Sequence, residues 1–170
     1  MTENLCWIDA QLPTGSGRVG VMPHPFGDDA LAGEICGFRA EGVDVIVSLL
    51  EREEALSVGL AREEELCGEQ GIAFRSFPIP DRSVPESMGE VRELVRRLRT
   101  ELAAGRSVVF HCWAGIGRSS LMAASLLVTY GLSPDEAFER IGEARGLHVP
   151  DTGQQRIWVE RFAGSLGQGS

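Results

Sequence analysis

Short apolar runs, rich in branched and aromatic side chains, alternate along the chain with longer stretches whose hydrophobic positions recur every three or four residues. The short runs predict buried strands, because β-branched residues pack well in a sheet. These runs are Val19–Met22, Val43–Leu50, Ile72–Ile79 and Ser107–Phe110. The first is expected to be a short edge strand, and prolines limit the third at its end.

The longer stretches predict five helices, because their apolar residues follow helical spacing. They cover residues 28–39, 87–104 and 117–130, a segment opening at 133–136, and residues 151–162. Gly105 is placed to end the second helix, and a serine followed by proline and two acids is placed to start the fourth. The stretch 117–130 is apolar nearly all round, so we expect it to be the central, buried helix.

Strands that alternate with helices predict a single α/β domain with a central, mostly parallel sheet of four to five strands and helices on both faces. No internal linker divides the 170 residues. The core is expected to span about residues 19–162, after an irregular segment at 1–17 and before a flexible tail at 163–170. In such folds ligands bind beyond the carboxyl ends of the strands, which directs attention to the residues after strand 107–110.

The composition narrows the classes of function. The net charge is −9, from 16 basic and 25 acidic residues, and every basic residue is Arg. An acidic surface opposes broad binding to nucleic acid or anionic membranes, and the absence of Lys excludes a Schiff-base or Walker lysine. Four Cys without a CxxC pair and three scattered His give no signature of a metal site or a disulfide framework, so we expect no metal and no cofactor. The first residues lack a signal-peptide pattern and no apolar run could span a bilayer, so a cytoplasmic protein is expected. The sequence leaves the oligomeric state open, with a monomer favoured.

The clearest chemical signal is the turn His111–Ser119, which leads from a strand into the buried helix. Gly115 and Gly117 allow backbone angles at which successive N–H groups point into one concavity, aided by the helix dipole. Arg118 offers a planar fork of donors suited to phosphate oxygens, and Cys112 stands at the start of the turn. Such surroundings favour a thiolate. The turn therefore predicts a cysteine nucleophile beneath a tetrahedral oxyanion.

This turn resembles the HCx5R(S/T) signature of the cysteine-dependent protein tyrosine phosphatase superfamily. Over about residues 19–162 the chain is similar to small, dual-specificity-like bacterial members of that superfamily. The resemblance implies a protein tyrosine phosphatase-like fold and a phosphocysteine intermediate on Cys112. Arg118 would bind the phosphate together with the loop backbone, which consists of Trp113, Ala114, Gly115, Ile116 and Gly117. Ser119 would hydrogen-bond the departing sulfur, while His111 would order the loop and promote the thiolate.

The resemblance also implies a general acid and, in some members, a glutamine that orients the hydrolytic water. Asp81, between prolines and about 30 residues before Cys112, is the expected acid. Gln155 is the expected water-orienting residue, with Gln154 as the alternative. The competing interpretations are a turn residue for Asp81, an N-cap for Ser119, a solvated helix residue for Gln155 and an inert buried thiol for Cys112.

Other polar residues are interpreted without a function. The acidic runs 51–54 and 63–65 are typical of solvated helix faces. The arginines of helix 87–104 are typical of a solvated stripe along a helix. His24 is expected in a surface loop, and His148 is expected to be exposed to solvent.

We therefore expect a metal-independent phosphatase acting on phosphoprotein, with phosphotyrosine and also phosphoserine or phosphothreonine as substrates. The loop residues 113–117 include no basic side chain, which opposes polyphosphorylated lipids. Three alternatives remain open: a phosphatase of a small metabolite, a non-catalytic phosphate-binding module, and a sulfurtransferase. The last would not need Asp81 or the Arg118–Ser119 pair.

Overall fold

The computed structural model describes residues 3–167, and its centre is a five-stranded sheet in the order β1-β2-β5-β3-β4. All neighbouring strands are parallel except β1 and β2, which are antiparallel. The strands are β1 (Cys6–Trp7), β2 (Val19–Met22), β3 (Val43–Ser48), β4 (Ala73–Ser76) and β5 (Ser107–His111). This sheet confirms the predicted α/β class and the mostly parallel arrangement.

In the described part of the chain, seven α-helices cover the two faces of the sheet. They are α1 (Leu31–Ala40), α2 (Arg52–Ser57), α3 (Glu63–Glu69), α4 (Met88–Ala103), α5 (Arg118–Val128), α6 (Pro134–Arg145) and α7 (Gly153–Leu166). One core cluster joins the sheet to α1 and α3, and another joins it to α4, α5, α6 and α7. Helix α5 lies at the centre of the second layer, and all of its residues are buried, as the apolar pattern predicts.

The strand predictions need two corrections. Val19–Met22 is not an edge strand, because Cys6 and Trp7 pair with Val21 and Gly20 and extend the sheet by one short strand. The segment 1–17 is therefore not wholly irregular, although its first two residues lie outside the described chain. A strand of two residues is too short to show an alternating pattern, which explains why the sequence did not predict it.

The strand predicted at 72–79 is observed only as Ala73–Ser76. Beyond it, the Phe77 N–H still donates to the Ser48 carbonyl at 2.9 Å, and the Ile79 N–H donates to the Leu49 carbonyl at 3.0 Å. Pro78 and Pro80 have no N–H to continue a regular ladder. The segment therefore stays attached to β3 while it leaves the sheet toward Asp81.

The helix ends agree with the capping signals in the sequence. Ser133 and Glu136 form a reciprocal capping box at the start of α6, and Gly105 follows α4 with a φ of +82°. Helix α7 continues to Leu166, four residues beyond the predicted end, so the first half of the segment predicted as a flexible tail is helical. Residues 168–170 of that tail lie outside the described residues. Within residues 3–167, no helix is both long and apolar enough to cross a membrane.

Candidate active site

The turn after β5 brings its residues together at the carboxyl edge of the sheet. Cys112 follows β5 directly and is 2% exposed. Its side chain belongs to the core cluster of α4 and α5, together with that of Phe110. Val109 belongs to the cluster on the opposite face. Because side chains alternate along a strand, His111 points to the Val109 side, away from Cys112. The short loop 113–117 then leads into α5 at Arg118.

The backbone of this loop is arranged to receive an anion. No N–H of residues 113–117 has a hydrogen-bond partner among the described residues. The carbonyls are held elsewhere: that of Trp113 accepts from the His24 N–H at 3.2 Å. Those of Ala114 and Gly115 accept from Nη2 and Nε of Arg145 at 2.9 and 3.0 Å. With the carbonyls turned outward, the free N–H groups form the concavity that the sequence predicts.

Both loop glycines are required by close approaches. Gly115 has a φ of +69°, and a Cβ at this position would lie 2.6 Å from the Pro23 nitrogen. A Cβ on Gly117 would lie 2.9 Å from the side-chain amide atoms of Gln155. The loop is therefore closed against the end of β2 on one side and against the start of α7 on the other.

Arg118 is buried, and its two terminal nitrogens donate four hydrogen bonds. Nη1 donates to Glu54 Oε2 at 2.8 Å and to the Ile79 carbonyl at 2.9 Å. Nη2 donates to Glu54 Oε1 at 3.0 Å and to Asp81 Oδ1 at 3.2 Å. Burial opposes the charge, but the Glu54 hydrogen bonds and the negative charges of Cys112, Glu54 and Asp81 raise the pKa of Arg118. The guanidinium is therefore a fixed cation beside the loop.

The pairing of Glu54 corrects the interpretation of residues 51–54 as a solvated helix face. The Glu54 carboxylate accepts two hydrogen bonds from Arg118 in a bidentate ion pair. It also accepts a hydrogen bond from the Glu51 N–H at 2.8 Å. Burial disfavours its charge, but the Arg118 and Glu51 hydrogen bonds lower the pKa of Glu54 below its ordinary value. One signal was available in the sequence: α2 follows β3 closely, so it begins at the same sheet edge as the Cys112 loop.

Asp81 lies where the sequence predicts, in a turn closed by a hydrogen bond from the Ser83 N–H to the Pro80 carbonyl. Its side chain is 68% exposed, and its contact with Arg118 places a carboxyl group at the mouth of the loop. The Arg82 guanidinium pairs with Asp151 at 3.6 Å, which ties this turn to the segment before α7.

Gln155 is fully buried, so the interpretation as a solvated helix residue is wrong. Its Oε1 accepts from the N–H groups of Asp151 and Thr152, each at 3.1 Å, and its Nε2 donates to the Ser83 carbonyl at 3.2 Å. The side chain thus caps α7 and fastens it to the Asp81 turn, beside Gly117. Its water-orienting role stays a prediction, and the alternative residue, Gln154, is exposed.

Ser119 and His111 are both fully buried. The Ser119 hydroxyl has no hydrogen-bond partner among the described residues, so its predicted bond to the Cys112 sulfur is not formed in this structure. His111 Nε2 lies 2.7 Å from Glu63 Oε1, and its Nδ1 has no hydrogen-bond partner within residues 3–167. Glu63 is 2% exposed, so the interpretation of residues 63–65 as a solvated face is wrong at its first position.

Trp113 is the large apolar side chain that the loop exposes to solvent, with 45% of its surface exposed. The His24 ring meets it edge-on, with 5.3 Å between ring centroids. His24 is half-buried and is therefore part of the rim of the site, not an isolated surface residue. His148 is exposed, as predicted.

This combination of a cysteine, a fixed guanidinium and free N–H groups around one anion site is that of the cysteine-dependent protein tyrosine phosphatases. Residues 15–132, which include Asp81 and the whole Cys112 loop, match the family described as "Polymorphic toxin system, DSP-PTPase phosphatase". The chain belongs to this family, which confirms the superfamily predicted from the sequence.

Individual relatives agree with this assignment. Cyclin-dependent kinase inhibitor 3 of Rattus norvegicus is 28% identical over 130 residues, which cover 75% of this chain and 61% of that protein. The chain thus spans about six-tenths of the length of that relative. Kinase-associated phosphatase, solved with its catalytic-site cysteine replaced by serine, has a TM-score of 0.85 at 22% identity, with 98% of this chain and 97% of that one covered. A mutant form of Tk-PTP has a TM-score of 0.78 at 25% identity, with 99% and 100% covered.

The pairing of Glu54 with Arg118 generates a prediction of pH-dependent stability. The pKa of Glu54 is lowered in the folded protein. Its ionised carboxylate therefore stabilises the fold at pH values above 4.5, the ordinary pKa of a glutamate. That contribution is lost as the pH falls through the folded pKa. Glu54→Gln should lower the free energy of unfolding by about 1–3 kcal/mol at pH 7, since a hydrogen bond to a buried charge is lost. Urea unfolding measures this difference, which should shrink below about pH 4.5.

The control for that experiment is Glu53→Gln, which changes the exposed residue next to Glu54. Its free energy of unfolding should stay within about 0.5 kcal/mol of that of the original protein. A difference for Glu54→Gln that stays constant from pH 7 to pH 3.5 would contradict a contribution from the charge of Glu54.

The carbonyl contacts of Arg145 generate a second prediction. Arg145→Met removes the donors that hold two loop carbonyls outward, and the N–H concavity should then be less well formed. We expect tungstate, a tetrahedral oxyanion, to bind roughly tenfold more weakly, or about 1.4 kcal/mol, by calorimetry. Arg140→Met, on the same helix but paired with Asp9, is the matched control and should bind tungstate normally. Equal affinities for the two variants would show that the loop holds its shape without Arg145.

Proposed function

We propose that this chain hydrolyses phosphomonoesters of phosphoproteins through a phosphocysteine intermediate on Cys112. The observation that carries the proposal is the convergence of three groups at one anion site. These groups are the Cys112 thiol, the Arg118 guanidinium and the unpaired N–H groups of the loop. Each suits a stage of phosphoryl transfer, in which positioning and charge stabilisation supply most of the rate enhancement.

In the first step the Cys112 thiolate attacks phosphorus in line, so that an S–P bond forms while the P–O bond to the leaving group breaks. The loop N–H groups and Arg118 stabilise the charge on the equatorial oxygens. Asp81 donates its proton to the leaving oxygen. Asp81 now shares Arg118 Nη2 with Glu54, so a bound phosphoryl group would take its place there.

In the second step water attacks phosphorus, the S–P bond breaks, and inorganic phosphate and the thiolate are released. Asp81, now ionised, accepts the proton of the attacking water. The unpaired hydroxyl of Ser119 would donate to the departing sulfur and stabilise its negative charge. A water-orienting role for Gln155 would require its side chain to release the Ser83 carbonyl.

A polypeptide substrate is favoured by a groove beside the Asp81 turn. A cavity of about 750 Å³ lies between β4 and α4, with Phe77 and Pro80 in its wall. The exposed carboxylates of Glu86 and Glu90 stand at its edge, and neither has a side-chain partner in the described part of the chain. The segment that carries Pro80 also supplies the Ile79 carbonyl to Arg118, so the groove adjoins the anion site. A phosphopeptide with basic residues beside its phosphorylated position fits both features.

The first test is hydrolysis of a chromogenic aryl phosphate in the presence of EDTA. We expect turnover to survive chelation, to vanish in Cys112→Ser and to fall at least about a hundredfold in Arg118→Lys, which keeps the charge but loses the fork. Asp81→Asn should reduce kcat by roughly 10²–10⁴-fold and remove the alkaline limb of the pH profile, because the proton donor is lost. Inactivity of the original protein from pH 5 to 8 under reducing conditions would contradict the proposal and favour a phosphate-binding module or a sulfurtransferase.

The second test concerns the substrate. Phosphotyrosine, phosphoserine and phosphothreonine peptides with basic or acidic flanks are compared with small phosphorylated metabolites. We expect the basic-flanked phosphotyrosine peptide to have the highest kcat/KM, and the double variant Glu86→Gln with Glu90→Gln to raise its KM about fivefold or more. The same variant should hydrolyse aryl phosphate normally. Glu139→Gln with Glu160→Gln, which changes two exposed acids outside the groove, is the control. A metabolite that exceeds every peptide would overturn the assignment of a protein substrate.

A further inference from the structure

His111 and Glu63 form a buried pair that the proposed reaction does not use directly. His111 is the last residue of β5, and its side chain points toward the layer of α1 and α3. Glu63 opens α3 and is followed on the same face by Leu66 and Cys67, both buried. The carboxylate therefore lies on the apolar face of its helix, where it meets the imidazole at 2.7 Å.

The burial of this pair restricts its charge. Glu63 and Arg118 are the buried charged side chains of the described residues, apart from the titratable histidine itself. Arg118 is paired with Glu54 and Asp81, whereas Glu63 has His111 as its side-chain partner. An ionised carboxylate in such surroundings is very unfavourable without a compensating charge. A proton on His111 supplies that charge, and 2.7 Å is typical of a charge-assisted hydrogen bond.

The other charged groups near the pair do not supply the same compensation. Arg62, which directly precedes Glu63, is exposed and pairs with Glu65 at 3.2 Å. On α3, Glu64 is exposed and adds a second negative charge. Burial, together with Glu63 and Glu64, raises the pKa of Cys67 to about 12, so this thiol is neutral at physiological pH. On the strands beside β5, Met22 and Ser48 pair with His111 and carry no charge. His111 is therefore the buried group placed to balance a charge on Glu63.

We propose that Glu63 is a positioning residue that keeps His111 in its imidazolium form and thereby stabilises the Cys112 thiolate. His111 directly precedes Cys112 in the chain, but its side chain lies on the opposite face of the sheet, so the imidazolium would act on the thiolate through space across β5 and not by direct contact. Arg118 and the free N–H groups would stabilise the thiolate from the loop side. This inference rests on the proposed function only in taking the Cys112 thiolate as the reactive species.

The test is the pH dependence of Cys112 alkylation by iodoacetamide, followed by mass spectrometry of the Cys112 peptide. In Glu63→Gln the imidazole loses the negative charge that favours its protonated form. The pH of half-maximal alkylation should therefore rise by roughly 0.5–1 unit. Below that pH, alkylation should slow by about three- to tenfold. Glu64→Gln, one residue away and exposed, is the matched control and should alkylate as the original protein does. Cys112→Ser defines the background.

The direction of the change decides the outcome. An unchanged profile for Glu63→Gln would overturn the proposal, even if the variant were less stable or less active. A fall in the pH of half-maximal alkylation would also overturn it, since it would mean that Glu63 acts as an uncompensated negative charge. If Glu63→Gln does not fold, the nitrogen chemical shifts of His111 in the original protein give the answer by NMR. Imidazolium shifts from pH 5 to 8 are expected, and neutral-imidazole shifts would contradict the proposal.

Alkylation requires no turnover, so the two proposals fail separately. A protein that hydrolyses no phosphomonoester but shows the predicted shift in Glu63→Gln would refute the phosphatase activity alone. An active enzyme whose pH profile of Cys112 alkylation is unchanged in Glu63→Gln would refute the role of Glu63 alone.

Discussion

Arg118 holds a buried positive charge at the carboxyl edge of the sheet, and its four terminal hydrogen bonds reach Glu54 on α2, the Ile79 carbonyl and Asp81. A cation in this position would be costly without such partners, so the segments that carry them are held against the Cys112 loop. The same guanidinium is the group best suited to a phosphate. One side chain therefore orders the site and, in the proposed reaction, would also bind the substrate. Asp81 is the partner with the most exposed side chain, so it is the one that a phosphate would most readily replace.

The parallel sheet explains why distant parts of the chain meet there. Strands β2, β3 and β5 run in the same direction, and each is followed at its carboxyl end by a segment that contacts the site. These segments carry His24, Glu54 and Cys112 in turn. Asp81 is added because its segment remains hydrogen-bonded to β3 after β4 ends. The helix layers fill the space behind the loop, where Arg145 of α6 and Gln155 of α7 fix its outer surface.

Much of this arrangement follows from local patterns. The strands and helices of the core were predictable from hydrophobic periodicity, and the Cys112–Arg118 turn from its spacing and its glycines. Glu54 and Glu63 were misinterpreted because acidic runs at helix starts usually face solvent, and only tertiary packing shows which carboxylate turns inward. For Glu63 a signal existed: it shares a helical face with Leu66 and Cys67. Strand β1 and the capping bonds of Gln155 depend on contacts between segments far apart in sequence, which no local pattern contains.

The unpaired N–H groups of the loop have a consequence for the enzyme at rest. Donors that lack partners in the free protein are satisfied when a tetrahedral anion arrives, so any such anion that binds stabilises the folded state by mass action. Inorganic phosphate, the product of the proposed reaction, has the shape and charge that these donors accept. The N–H groups that would speed turnover would therefore also bind the product of the proposed reaction. The protein's activity in a cell would then fall as the concentration of free phosphate rises.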